Sequence, residues 1–157
     1  MRAYFFGNMY LSQIQQGIQA AHAVHEMFVK YRDTQMISVA ETLYDWAVHH
    51  KTMILLNGGY ADAIQDLVNF FNHRDNHLPF APFYEEKASL NGALTTVGIV
   101  VPEKIYATAA AIRKDAQLRE HIWENGSLEL ADDKVTTLRF SRWEAELIDK
   151  LNTFSLA

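Results

Sequence analysis

Apolar residues recur along this chain with the spacings of strands and helices in turn, which predicts an α/β fold. Buried strands are predicted over residues 3–8, 52–56 and 94–101, with a short edge strand at Phe83-Tyr84. Segment 94–101 is β-branched and apolar almost throughout, as expected for a strand covered on both faces. We therefore expect parallel pairing through helical crossovers, with helices on both faces of the sheet.

Helices are predicted between and after these strands by the 3.6-residue period and by capping residues. Ser12 with Gln15 forms a capping box that begins the first helix, and Ser141 with Glu144 forms a second box before a terminal helix. The other predicted helices lie at residues 34–49, after Gly59, after Pro102 and at 115–125.

The side chains of the first helix separate into an apolar line and a polar line. We expect the apolar line to face the core; it consists of Ile14, Ile18, Ala21, Val24 and Phe28. The polar line then lies on the open side and consists of Gln15, Gln19, His22 and Glu26. A helix face that needs only solubility more often has Lys and Glu, so we interpret the polar line as a contact surface.

Composition restricts the class of protein. The 157 residues suit one domain with a single core, and 49% hydrophobic residues exclude a disordered chain. The lack of cysteine excludes disulfides, thiolate nucleophiles and Cys-ligated zinc. A formal net charge of −5 argues against a broadly basic nucleic-acid-binding protein.

No apolar run approaches the roughly 20 residues of a membrane span, and the first residues predict a strand instead of a signal peptide. We expect a cytoplasmic protein without membrane contact.

The domain organisation follows from the lack of any linker-like stretch in the sequence. We predict a single domain over residues 1–157, in which residues 1–113 form the core and residues 114–157 form an α/β extension packed on it. Trp123 and Trp143 in this extension are large anchors of the kind found at interfaces. A homo-oligomer through the extension is one hypothesis for them, and core packing is the other.

Three blocks of sequence occur in an informative order. They are Gln19, His22 and Ala23 in the first helix, then Trp46 followed by Lys51-Thr52-Met53-Ile54-Leu55, then Thr95, Gly98, Ile99 and Pro102. With these blocks the chain resembles the type 2 peptidyl-tRNA hydrolase family over about residues 2–112. The resemblance implies a three-layer fold, with a four-stranded mixed sheet between helices and a site near the start of the first helix. Members of that family hydrolyse the ester between a peptide and the ribose of tRNA.

The chain departs from the family at two charged positions. The family lysine falls here at Gln13 or Gln15, and the family aspartate falls at Glu85 or Glu86. A glutamine keeps hydrogen bonding but loses the positive charge of lysine, which can stabilise an oxyanion. A glutamate keeps a carboxylate but displaces it by about one methylene. Thr95 is retained, and the places of the other family threonines are taken by Lys87, Ala88 or Ala93.

The candidate chemistry centres on His22, because imidazole exchanges a proton near neutral pH and can act as a general base. Gln19, Glu85 or Glu86, and Thr95 are predicted to line its cleft. A histidine bonded to a neighbouring loop and a solvated acidic pair are the alternative interpretations.

Four further residues are predicted to bind the ligand. Gln13 and Gln15 are the amides in the place of the family lysine. Asn91-Gly92 indicates either a tight turn or a cradle of backbone amides.

Two functions are predicted. The first is hydrolysis of the ester between peptide and tRNA, or of a related RNA- or nucleotide-linked substrate. The alternative is a catalytically degenerate binding module of the same fold, with RNA, a nucleotide or a protein as its partner. No cofactor is expected. No metal is expected either, because the pairs His22/His25 and His73/His77 lack a third ligand nearby.

Overall fold

A computed structural model of the protein describes residues 1–131 and 135–157. Strands β1 (Arg2–Gly7), β2 (Met53–Asn57), β3 (Phe80–Tyr84) and β4 (Leu94–Val101) form a sheet in the order β2-β1-β4-β3. β1 pairs parallel with β2 and antiparallel with β4, and β3 pairs antiparallel with β4. The predicted α/β class and four-stranded mixed sheet are confirmed. The expectation of parallel pairing holds for β1 and β2 but is wrong for the pairs that involve β4.

The remaining elements are helices and one hairpin. The helices are α1 (Gln13–Tyr31), α2 (Ile37–Asp45) continued by a π-helical turn (Trp46–His50), α3 (Ala61–Phe71), α4 (Lys87–Leu90), α5 (Glu103–Lys114), α6 (Gln117–Asn125) and α7 (Arg142–Thr153). Strands β5 (Ser127–Ala131) and β6 (Val135–Arg139) pair antiparallel. The sequence pattern does not predict α4 or β5.

The elements group into two compact units. The first contains Met1–Val101 with Ser155–Ala157, and the second contains Pro102–Phe154. The boundary therefore lies at Val101 and Pro102, whereas the sequence places the end of the core at residue 113. The single domain over the whole chain stays a prediction.

In the first unit, helices pack on both faces of the sheet. Phe5 and Ala3 of β1 belong to a buried cluster with residues of α1 and α2, among them Met27 and Leu43. Because side chains alternate along a strand, Phe6 points to the opposite face. There its ring lies 5.9 Å from that of Phe71 in α3.

The face of α1 that packs on the sheet differs from the one predicted. The buried residues are Gln16, Gln19, Ala20, Ala23, Met27 and Tyr31, whereas Ile14 and Ile18 are 79% and 50% exposed. The predicted apolar line is therefore wrong as a core face at Ile14, Ile18 and Ala21, whereas Val24 and Phe28 are partly buried against the core. Gln19 does not lie on an open polar line. Small residues allow the change, since Ala20 and Ala23 let the helix approach the strands closely.

Gly98 of β4 is the strand residue that this close approach requires. A Cβ atom there would lie 2.6 Å from Phe5 Cε1 and 2.7 Å from Met27 Cε. Such distances are shorter than van der Waals contact, so the glycine lets α1 and β1 fill the space above it.

The second unit contains α5, α6, α7 and the β5–β6 hairpin. Trp143 is buried, which agrees with the core-packing hypothesis for this residue. Trp123 is half-buried, with the guanidinium carbons of Arg119 and Arg142 at 5.5 and 5.8 Å from its ring. Arg119 also donates two hydrogen bonds to the carboxylate of Asp149, at 2.8 and 2.7 Å, and so joins α6 to α7.

Candidate functional site

A β-bulge in the sheet positions Thr95. Phe83 of β3 pairs with Thr96 and the next residue, Tyr84, pairs with Leu94, so Thr95 is an extra residue in β4. A bulge of this kind redirects a side chain. The Thr95 hydroxyl donates to Gln19 Oε1 at 3.0 Å. The Phe83 carbonyl oxygen is a second, more distant acceptor, 3.4 Å from the same Thr95 hydroxyl.

Gln19 links three parts of the first unit through its side-chain amide. Its Oε1 accepts the hydrogen bond from Thr95, and its Nε2 donates to Glu85 Oε1 at 2.7 Å. The residue is only 7% exposed. A buried amide with both ends bonded is fixed in position, so Gln19 holds α1, β4 and the segment after β3 in one arrangement.

Glu85 is a half-buried residue, and its carboxylate accepts two side-chain hydrogen bonds. One comes from Gln19, and the Ser89 hydroxyl donates the other to Oε2 at 3.0 Å. These bonds, with a smaller contribution from the charge of His22, hold the pKa of Glu85 below its ordinary value of 4.5. No Lys or Arg forms an ion pair with Glu85 among the described residues. Glu85 is thus a weak base that keeps its negative charge, with no Lys or Arg paired to it in the described part of the chain.

His22 lies beside this network with its ring exposed. The imidazole stacks on the ring of Phe83, with centroids 4.5 Å apart and planes at 12°. It lies one helical turn from Gln19. In the part of the chain that the structure describes, no hydrogen bond occupies its ring nitrogens, so they can bond to water or substrate.

The structure therefore brings together four of the residues predicted for the site. Gln19, Glu85 and Thr95 form the hydrogen-bonded network, and His22 lies next to it. Glu86 is exposed and instead precedes α4, where its backbone carbonyl accepts from the Ser89 and Leu90 amides.

The predicted binding residues lie in turns and caps. Asn91 and Gly92 have φ angles of 54° and 73°, which agrees with the tight-turn interpretation. Gln15 Oε1 accepts from the Ser12 amide at 2.9 Å and completes the predicted capping box. Gln13 is exposed. Since the side chain of Gln15 already bonds within the cap, Gln13 is the amide free to meet a ligand.

Asn8 and Ser89 belong to the network but are not predicted by the sequence. Asn8 is buried directly after β1. Its backbone amide donates to the Thr95 carbonyl at 2.8 Å, and its side-chain Oδ1 accepts from the Tyr10 backbone amide at 3.1 Å. The signal for Asn8 is an asparagine at the end of a strand, where its side chain favours a turn. Ser89 has no comparable signal, because it reaches Glu85 through α4, a short helix that the sequence does not predict.

Two cavities lie in the second unit. One of about 540 Å³ is lined by Leu118, His121, Asn125, Ser127, Leu128 and Glu129. The other, of about 330 Å³, is lined mainly by the apolar atoms of Ala107, Ala111, Leu128 and Leu138. Neither includes a residue predicted for the site.

The described residues contain neither a cluster suited to a metal ion nor a helix suited to crossing a membrane. Over residues 1–131 and 135–157, no group of three or more His, Asp or Glu is placed to hold a metal ion. Over the same ranges no helix combines the length and the apolar character needed to cross a bilayer.

Comparisons with known proteins give no relative from which a function could be inferred. No protein-family model matches the chain, and no curated protein is significantly similar to it.

Proposed function

We propose that this protein hydrolyses the ester between a peptide and tRNA, or a related RNA- or nucleotide-linked ester. The observation that supports this most is the exposed His22 imidazole one helical turn from Gln19, whose amide fixes the Glu85 carboxylate in position. The sequence resemblance to type 2 peptidyl-tRNA hydrolases names the substrate class and agrees with the mixed sheet.

In the proposed reaction His22 acts as the general base. Its imidazole takes a proton from a water molecule, whose oxygen attacks the ester carbonyl carbon and forms a tetrahedral intermediate. The imidazolium then returns the proton to the ribose oxygen as the carbon–oxygen bond breaks. The products are a peptide with a free carboxyl group and an RNA with a free hydroxyl group, so atoms and charge balance.

Glu85 supports this reaction as a fixed charge and not as the base. Its pKa is lowered, so it keeps its negative charge at neutral pH and accepts protons poorly. A carboxylate close to His22 stabilises the imidazolium that forms during attack. Gln19 and Ser89 act as positioning residues, because both donate to this carboxylate.

Gln13 takes the position of the family lysine and cannot supply the positive charge of that lysine. Gln13 stands at the start of α1 with its side chain exposed. Its amide can donate a hydrogen bond to a phosphate or carbonyl oxygen but provides no charge. We therefore expect weaker stabilisation of an oxyanion than a lysine would give.

Release of N-acetylphenylalanine from N-acetylphenylalanyl-tRNA tests the activity, with a genuine peptidyl-tRNA hydrolase as positive control. Glu85→Gln should lower kcat, because the imidazolium loses its charge partner. Glu86→Gln is the matched control and should leave kcat unchanged, because the Glu86 carboxylate makes no contact with the network. Equal loss in both variants, or no release by the wild type, would refute the proposal.

A binding module without catalysis is the second candidate, and one observation favours it. Both ends of the Gln19 amide and both oxygens of Glu85 already bond inside the protein. In that case tRNA should bind without being cleaved, and its affinity should fall steeply with added salt if phosphates are contacted. Affinity for tRNA measured between low and high salt distinguishes this function from binding to a protein alone.

A further inference from the structure

We propose that an uncharged apolar strip next to His22 binds the peptide portion of the substrate, an apolar peptide segment. The strip consists of Met9, Tyr10, Ile14, Ile18 and Tyr60, all in the first unit. That the segment is the acyl part of an ester depends on the proposed function. Binding of an apolar peptide to the strip does not.

The strip is exposed and continuous with the site. Tyr10 is 81% exposed and Ile14 is 79% exposed. Ile14, Ile18 and His22 are spaced four residues apart on α1, so each neighbours the next on the helix surface. Exposed apolar side chains grouped on one surface mark a binding site. The strip therefore extends from the proposed base along the helix toward its start.

The aromatic end of the strip is held in place by backbone hydrogen bonds. The Tyr10 and Tyr60 rings lie 4.9 Å apart. The Met9 amide donates to the Gly59 carbonyl at 2.9 Å, and the Tyr10 amide donates to Asn8 Oδ1 at 3.1 Å. A surface fixed before binding loses little conformational entropy when a ligand arrives.

The lack of charged side chains in the strip favours the peptide over the RNA part of a peptidyl-RNA ester. The chain has no Asp, Glu, Lys or Arg between Arg2 and Glu26, whereas the whole chain has a net charge of −5. RNA phosphates need Lys or Arg, and this segment has neither. An apolar peptide needs no counter-charge and gains free energy by covering the exposed side chains.

A second copy of the chain fits the strip less well. Stable protein–protein interfaces take about 20–30 residues from each partner, far more than these five side chains. Two copies would also each bring a net charge of −5. A short peptide matches both the size and the neutrality of the strip.

The binding test uses two blocked tetrapeptides as probes, N-acetyl-Leu-Ala-Phe-Leu-amide and N-acetyl-Asp-Ala-Glu-Asp-amide. NMR titration of the full chain should show shifts at Tyr10, Ile14 and Ile18 with the apolar peptide alone. The double variant Ile14→Ser/Ile18→Ser should weaken binding about tenfold or more, since it removes the apolar contact area. Val29→Ser is the matched control, because Val29 is 64% exposed on the same helix but outside the strip. Thermal unfolding checks that both variants fold.

Several outcomes would overturn the proposal. They are equal binding of both peptides, equal loss in Val29→Ser, shifts produced instead by a single-stranded oligonucleotide, and shifts that depend only on protein concentration, as self-association would give. Peptide binding without ester hydrolysis would refute the proposed function and leave the strip standing. Hydrolysis with an unchanged KM in the double variant would refute the strip and leave the function standing.

Discussion

The side-chain amide of Gln19 donates a 2.7 Å hydrogen bond to the carboxylate of Glu85, a residue 66 positions further along the chain. The same amide accepts from Thr95, which is 76 positions away. Two residues that are distant in sequence thus meet on one helical side chain, and His22 lies one turn from it. This arrangement explains why an amide is buried where the helix periodicity predicts an open face.

Gln19→Ala should lower the free energy of unfolding by about 1–3 kcal/mol, because the buried Thr95 hydroxyl loses its closer acceptor and keeps only the Phe83 carbonyl at 3.4 Å. Urea unfolding followed by circular dichroism measures this change. Gln13→Ala, at an exposed position of the same helix, should change it by less than about 0.5 kcal/mol. Equal effects of the two variants would contradict the role given to the Gln19 amide.

Acidification should destabilise the wild type through Glu85. Its pKa is lower in the folded protein than the ordinary 4.5, so its carboxylate contributes stability that is fully present above pH 4.5. That stability is lost as the pH falls through the lowered value. Unfolding measured from pH 6 downward should show a steeper loss in the wild type than in Glu85→Gln. Glu86→Gln should follow the wild type, and a curve like that of Glu85→Gln would count against the assignment.

Two glycines should respond in opposite directions to replacement by alanine. Gly98→Ala places a Cβ within 2.7 Å of Phe5 and Met27 atoms, and should destabilise the protein by about 1–3 kcal/mol. Gly17→Ala meets no atom within 4 Å on the surface of α1, and should stabilise it by about 0.5–1 kcal/mol. Thermal melting of both variants is the measurement. A neutral Gly98→Ala would show that α1 does not lie as close to the sheet as described.

Lys30 should lose its proton at lower pH than an ordinary lysine. Partial burial of its amino group lowers its pKa from 10.5 to about 8, and its Nζ lies 3.4 Å from the Phe80 ring centroid. An NMR titration of the lysine ¹³Cε resonances should show one transition near pH 8, and this resonance should be missing in Lys30→Arg. A transition near 10.5 for Lys30 would contradict its partial burial.

Local signals predicted the elements well. The capping box at Ser12 and Gln15 is present as predicted, because its two hydrogen bonds join residues three positions apart. The apolar β-branched segment Leu94–Val101 is a fully buried strand, because its composition alone requires cover on both faces. In both cases the information lies within a few residues of sequence.

Features that depend on contacts between distant parts of the chain could not be predicted from the sequence. Periodicity assigns Ile14 to the core and Gln19 to solvent, but Gln19 is buried because Glu85 and Thr95 satisfy its amide. The bulge at Thr95 depends on strand register, which no single strand's sequence reveals. The sequence therefore predicts Gln19, His22, Glu85 and Thr95 as separate site residues. It does not predict which of them form hydrogen bonds with one another.

The most direct test is the initial rate at which N-acetylphenylalanyl-tRNA is hydrolysed by the wild type, His22→Asn and His25→Asn. His25 is exposed on the same helix and outside the network, so its variant controls for the loss of a surface imidazole. We expect hydrolysis by the wild type and His25→Asn, and a rate about 10²–10⁴-fold lower for His22→Asn, the usual contribution of a general base. A His22→Asn rate equal to that of the wild type, or a wild-type rate no faster than that without protein, would contradict the account.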